Sequence, residues 1–98
     1  MGFQEKLVAA IESNNSLLCV GLDPQLEMLP PGASIGDRLT DWGKTIISQT
    51  VDLVCCYKPN NAFFEQYGAE GWNALREVIA ACHAVDVPVL LDAKRGDI

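Results

Sequence analysis

Val87-Pro88-Val89-Leu90-Leu91 runs directly into Asp92-Ala93-Lys94-Arg95-Gly96-Asp97-Ile98. The apolar half has the look of a buried strand. Four of the seven residues that follow it are charged. In an extended chain, residues two apart point to the same side. Asp92 and Lys94 therefore project together while Ala93 turns away, with Cβ atoms about 6–7 Å apart from strand rise alone. A carboxylate beside an ammonium at the mouth of a buried strand costs desolvation that scattered surface charge does not incur.

The same pattern occurs twice upstream. Leu17-Leu18-Cys19-Val20-Gly21-Leu22 is a continuous apolar run, as expected of a strand covered on both faces. It stops at Asp23-Pro24, where proline cannot donate to a ladder. Leu53-Val54-Cys55-Cys56-Tyr57 is the second such run, and it stops at Lys58-Pro59. Each strand thus ends in a proton-active residue: Asp23, then Lys58, then Asp92 with Lys94.

Helical periodicity fills the spaces between. Phe3, Leu7, Ala10 and Ile11 form one face of a leading helix over residues 3–14. Gln25 to Gly32 is a loop punctuated by Pro30-Pro31-Gly32. Ser34, with Asp37 three residues on, has the form of a capping box that opens the next helix. Ile35, Leu39, Trp42, Ile46 and Leu53 continue as its stripe, which Gly43 weakens modestly. Asn60-Asn61 is turn chemistry, and residues 62–67 make a short helical turn. A further helix over residues 68–85 places Trp72, Leu75, Ile79 and Cys82 on one face. Asp86 breaks it, and the third strand runs from Val87 or Pro88 to Leu91.

Strands alternating with helices imply parallel pairing and right-handed crossovers. Ligands in such folds bind at the C-terminal ends of the strands, which is where the charged residues fall. The chain has 98 residues, and a (β/α)8 barrel needs about 250. As barrel strands these are the first three units only, with both sheet edges open. A small open sheet is the other arrangement the pattern fits.

Composition narrows the function classes. Net charge is −6 and the seven Lys and Arg are scattered, so the basic stripe of a nucleic-acid binder is missing. A few local cations still suffice for a small anionic substrate. The apolar runs are too short to span a membrane. The N-terminus lacks the basic flank and apolar core of a signal peptide, and Lys6 stands where myristoylation wants Ser or Thr. Four cysteines could in principle make two disulfides, but Cys19, Cys55 and Cys56 sit in apolar runs and Cys82 on a helix face, which favours buried reduced thiols. With one histidine, His83, and no C-x-x-C spacing, a zinc site has no ligand set. These features together predict a cytoplasmic protein.

Three segments together resemble orotidine 5'-phosphate decarboxylase. They are Val20-Gly21-Leu22-Asp23-Pro24, Tyr57-Lys58-Pro59-Asn60 with Phe63-Phe64-Glu65, and Asp92-Ala93-Lys94-Arg95-Gly96-Asp97-Ile98. They come in the family's order, each at a strand end. The last fits the family's D-x-K-x-x-D signature in the form of its longer bacterial branch. The resemblance covers essentially the whole chain but only the front of the enzyme. It implies an N-terminal fragment, residues 1–98, of a single (β/α)8 TIM barrel domain, preceded by the leading helix.

The resemblance further implies a cofactor-free and metal-free carboxy-lyase. It would convert orotidine 5'-phosphate to UMP and carbon dioxide, the last step of UMP synthesis, with this fragment inactive alone. Asp92 would sit against the substrate carboxylate, and Lys94 would deliver the proton to C6 of the pyrimidine. Lys58 would hold Asp92 and the ribose hydroxyls, and Asp23 would bind ribose. Asp97 and Ile98 would reach across a homodimer interface into the partner's site. The family's phosphate-gripping and pyrimidine-binding residues match nothing in this chain. No nucleic-acid or membrane partner is implied.

Taken singly, the motifs have plainer explanations. Asp23 before Pro24 can start a turn, Lys58 can be a solvated strand end, and Asp92, Lys94 and Asp97 can be a surface ion-pair loop. Their joint occurrence at successive strand ends shifts the balance. Trp42 and Trp72 read as packing anchors, Phe63 and Phe64 as core, Asn60 and Asn61 as turn residues, and Arg95 and His83 as surface. A magnesium-dependent phosphosugar decarboxylase of the same superfamily is the enzymatic alternative. It prefers Glu at the second strand end, where this chain has Lys58. The non-enzymatic alternative is a fragment that acts by association through its open edges.

Overall fold

The structure of the chain is a computed structural model that describes residues 2–93. Its elements alternate as the sequence predicts. They are α1 (Phe3–Asn14), β1 (Cys19–Leu22), α2 (Ile35–Thr50), β2 (Cys56–Pro59), α3 (Asn61–Glu65) and α4 (Gly68–Ala84). A 3₁₀ turn over Leu26–Met28 lies inside the loop expected after β1.

β1 and β2 pair in parallel, with Cys19 opposite Cys56 and Leu22 opposite Pro59. The expected third strand lies along the far side of β2. It is registered by parallel bridges between Tyr57 and Val89 and between Asn60 and Asp92. Tyr57 N donates to Pro88 O, Leu90 N to Tyr57 O, and Asp92 N to Pro59 O. Pro59 has no N–H, so the rung it would donate to Leu90 O cannot form. That gap leaves the third segment as two bridges on one ladder instead of an unbroken strand.

The strand boundaries differ from the sequence expectation. β1 starts at Cys19, and Leu17 and Leu18 before it are exposed. β2 starts at Cys56, three residues later than expected. Leu53 belongs to the turn that follows α2, its N–H bonded to Thr50 O at 2.8 Å, and its side chain is exposed. The expected stripe of α2 therefore ends before Leu53. Asn14 fixes this junction from the other side. Its Nδ2 donates to Val51 O and Val54 O at 2.9 and 2.8 Å, and Ser16 Oγ donates to Leu53 O.

α2 opens as predicted: Ser34 Oγ accepts the Asp37 N–H at 3.1 Å, satisfying one orphan donor of the first turn. α4 ends at Ala84, and Asp86 just beyond it takes a left-handed φ of 58°, a conformation that Asp tolerates better than most residues.

The core lies between the helix side of the sheet and the pair α2 and α4. Leu22, Leu39, Trp42, Ile47, Val54, Tyr57, Phe64, Leu75, Val78 and Val87 fill it. Tyr57 is fully buried, with its hydroxyl 2.7 Å from Thr50 Oγ1 and donating to Ile47 O. Burial pushes its hydroxyl above the usual tyrosine range. α1 covers a smaller cluster of Ala10, Cys55 and Cys56.

The opposite face of the sheet is open, against the expectation of strands covered on both sides. In β1, Leu22 is buried and Val20 half-buried, whereas Cys19 and Gly21 are exposed. Cys19 therefore departs from the buried thiols expected of all four cysteines; Cys55, Cys56 and Cys82 conform. Trp72 also departs from expectation. It is 42% exposed, because the buried face of α4 is set by Gly71, Ala74, Leu75, Val78 and Cys82. Phe64 is core, as expected, and Phe63 is only partly covered.

Two glycines let the helices close up. A Cβ on Gly43 would lie 2.5 Å from Val78 Cγ2, so α2 approaches α4 more closely there than any side chain permits. A Cβ on Gly71 would lie 1.7 Å from the Phe64 carbonyl oxygen. That obstacle is backbone and cannot rotate aside. Gly71→Ala should therefore cost about 3 kcal/mol, read as a lowered midpoint in chemical denaturation, whereas Gly2→Ala, with nothing within 4 Å of the new Cβ, should leave it unmoved.

Candidate active site

The parallel register decides which side chains meet. Gly21 lies opposite Lys58, and Asn60 lies opposite Asp92. Extending the β1–β2 register by one residue sets Asp23 opposite Asn60, and the Asn60 N–H to Leu22 O bond supports this placement. Asp23, Asn60 and Asp92 thus form one row across the C-terminal ends of neighbouring strands. Lys58 is two residues below Asn60 and on the same face. Strand spacing and rise put its Cα about 8 Å diagonally from those of Asp23 and Asp92, within the span of a lysine side chain.

This row lies on the open face. Lys58 and Asp92 are half-buried and Asp23 is exposed. Gly21 opposite Lys58 keeps the floor low, and a Cβ there would contact the Asp23 carboxylate at 3.7 Å. Among the described residues, no side-chain hydrogen bond or ion pair joins Asp23, Lys58 and Asp92. Of the expected charge array, Lys94, Asp97 and Ile98 lie outside the described residues.

Backbone bonds hold the row in place. Asn60 N-caps α3, its Oδ1 accepting the Ala62 N–H at 3.1 Å. Asn61 N donates to Asp92 O at 2.8 Å, tying the third segment to the start of α3. The Asn61 side chain is 2% exposed, and its Nδ2 donates to Glu65 Oε2 at 2.6 Å. Its Oδ1 is buried without a partner. Turn chemistry accounts for Asn60, but sequence reasoning missed the burial of Asn61. The available signal was the Asn61–Glu65 spacing of one helical turn.

Among the described residues, no group of three or more His, Cys, Asp or Glu side chains could hold a metal ion. The cluster instead offers alternating charge. A lysine between two carboxylates can hold an anionic group and a diol-bearing sugar together, since ammonium donates and carboxylates accept.

Comparison with known proteins identifies the family of the chain. The model of the orotidine 5'-phosphate decarboxylase / HUMPS family matches residues 16–98. An orotidine 5'-phosphate decarboxylase from Herpetosiphon aurantiacus is 50% identical over 99 residues, covering 98% of this chain and 36% of the relative. One from Halorubrum lacusprofundi is 49% identical over 100 residues, covering the whole chain and 35% of the relative. The chain thus spans about a third of the length of these relatives. The solved OMP decarboxylase of Leishmania donovani superposes with a TM-score of 0.78 at 45% identity, over the whole chain and 35% of that structure. Such neighbours are (β/α)8 barrels, so the open sheet is the front portion of a barrel wall and its bare face is the one a barrel turns inward. Its successive strand ends, with Asp23 and Asp92 in one row and Lys58 two residues below it, sit on a chain that belongs to the orotidine 5'-phosphate decarboxylase / HUMPS family.

Proposed function

We propose that this chain is the N-terminal portion of a single-domain enzyme that decarboxylates orotidine 5'-phosphate to UMP. The observation that carries the proposal is the row of Asp23, Asn60 and Asp92 above Lys58, on the face that a barrel encloses. The names of the half-identical relatives supply the substrate.

Loss of carbon dioxide leaves a carbanion at C6 of the pyrimidine. In this account Asp92 lies against the departing carboxylate, and the Lys94 ammonium stabilises the developing charge and then protonates C6. Lys58 positions Asp92 and donates to the ribose hydroxyls, and Asp23 accepts from ribose. Asp97 and Ile98 serve the neighbouring subunit's site in a homodimer. The reaction takes place in the cytoplasm and uses no cofactor.

The rival within the family is a magnesium-dependent phosphosugar decarboxylase. Lys58 counts against it, because an ammonium at the second strand end repels a divalent cation where a carboxylate would hold one. A full-length chimera decides. Residues 1–98 of this chain replace the matching portion of the half-identical Herpetosiphon relative. The chimera should form UMP from orotidine 5'-phosphate at a rate unchanged by EDTA. Turnover of 3-keto-L-gulonate 6-phosphate that requires magnesium would favour the rival.

A further inference from the structure

A polar pair beside the third strand segment stands behind the charged row. Asn61 opens α3 and Glu65 closes it, one helical turn apart on one face. Asn61 is buried and Glu65 half-buried. Asn61 Nδ2 donates to Glu65 Oε2 at 2.6 Å, a charge-assisted bond that is stronger than one between neutral groups. The Asn61 backbone N–H donates to Asp92 O at 2.8 Å, and Asp92 N donates to Pro59 O at 2.9 Å. Both polar groups of the Asp92 backbone are thus held, one by β2 and the other by the first residue of α3.

We propose that Asn61 and Glu65 are positioning residues for the decarboxylation: their side-chain bond keeps α3 closed, so that the Asn61 N–H fixes Asp92 against the departing carboxylate. This role rests on the decarboxylase reading. A five-residue helix is too short to hold itself together. Phe64, fully buried, anchors the middle of α3, and its carbonyl lies against Gly71 of α4. The start of α3 is held instead by the Asn60 cap on the Ala62 N–H and by the Asn61–Glu65 bond. Without that bond the first turn frays, and Asp92 O loses its donor.

Stability alone does not ask for asparagine at this position. Among the described residues Asn61 Oδ1 has no partner, and a buried acceptor without one costs desolvation that an apolar side chain avoids. What asparagine adds is a donor aimed at Glu65. Asn61 is already 2% exposed, so its burial does not depend on how the open face of the sheet is covered. Neither residue reaches the reacting atoms. Asp92 does so in this account, and a shift of about 1 Å in a reacting group can cost about 10²-fold in rate.

The test uses the full-length chimera, with each variant assayed well below its thermal midpoint. Asn61→Ala and Glu65→Ala should each lower kcat by about 10- to 100-fold. KM should stay within about threefold, because neither residue touches substrate. Glu65→Gln keeps an acceptor for Asn61 Nδ2 and should hold kcat within about threefold of the unsubstituted chimera. The double variant Asn61→Ala/Glu65→Ala should be no slower than either single variant, because the two residues act as one unit. Glu65 is only half-buried, so its two variants decide the question even where Asn61→Ala does not fold. The proposal is overturned if the folded alanine variants keep the unsubstituted kcat, if their loss falls on KM, or if Glu65→Gln is as slow as Glu65→Ala. Failure of the decarboxylase reading looks different: the unsubstituted chimera itself then forms no UMP, and the positioning role falls with it.

Discussion

Lys94→Ala in the full-length chimera should lower kcat by about 10⁴-fold or more. Two separable contributions vanish with the ammonium. One is electrostatic stabilisation of the C6 carbanion, for which removal of one preorganised donor typically costs about 10²–10³-fold. The other is proton delivery, worth about 10²–10⁴-fold. Water can replace the proton but not the fixed charge in a closed site. A loss of chemistry without a loss of folding is the expected outcome, so the thermal midpoint should stay where it was. A Lys94→Ala chimera with near-normal kcat would remove Lys94 as the proton donor. The charged row itself would still stand, because Asp23, Lys58 and Asp92 are placed by register and not by Lys94.

The second large effect is the loss of activity in the chain by itself. The 98-residue polypeptide should form no UMP from orotidine 5'-phosphate above the uncatalysed background. Its charged row lies on an exposed face, and charge–charge effects that reach several kcal/mol in a dry site shrink toward about 1 kcal/mol in water. It also spans only about a third of the length of its relatives, and groups remote from the reacting centre supply much of the binding energy that drives catalysis. Sensitive product detection with radiolabelled substrate is the check. UMP formation by the isolated chain that disappears in Asp92→Ala would contradict this account, since it would show that the front of the barrel suffices.

The periodic parts of the fold are legible in the sequence itself. Ser34 and Asp37 announce the start of α2, and Asp86 the end of α4, because caps and breakers act through neighbouring backbone groups. Parallel alternation is legible for a similar reason: it needs only the order of elements. The strand limits are not. Leu53 looks like the first residue of a strand, yet its N–H closes a turn on Thr50, a choice made by the junction with Asn14. The exposure of Trp72 and Cys19 is hidden because it depends on which faces find partners, and a residue's type does not reveal that. The missing rung at Pro59 is readable in principle, because the lack of an N–H is a property of the residue alone.

The site is more legible than the packing around it. Asp23, Lys58 and Asp92 each follow an apolar run, and parallel register brings the ends of such runs together. What the sequence hides is Asn60, which stands between the two carboxylates in that row, and the buried Asn61, whose role becomes visible only with its bonds to Asp92 and Glu65.

The central claim is that this row is the reacting centre of a decarboxylase. The most direct measurement is the rate of orotidine 5'-phosphate turnover by the chimera, beside the same chimera carrying Asp23→Ala, Lys58→Ala and Asp92→Ala together. The account predicts steady UMP formation by the first. It predicts none by the second, with both proteins folded by circular dichroism and alike in oligomeric state. Equal turnover by the two, or no turnover by a correctly folded chimera, would contradict it.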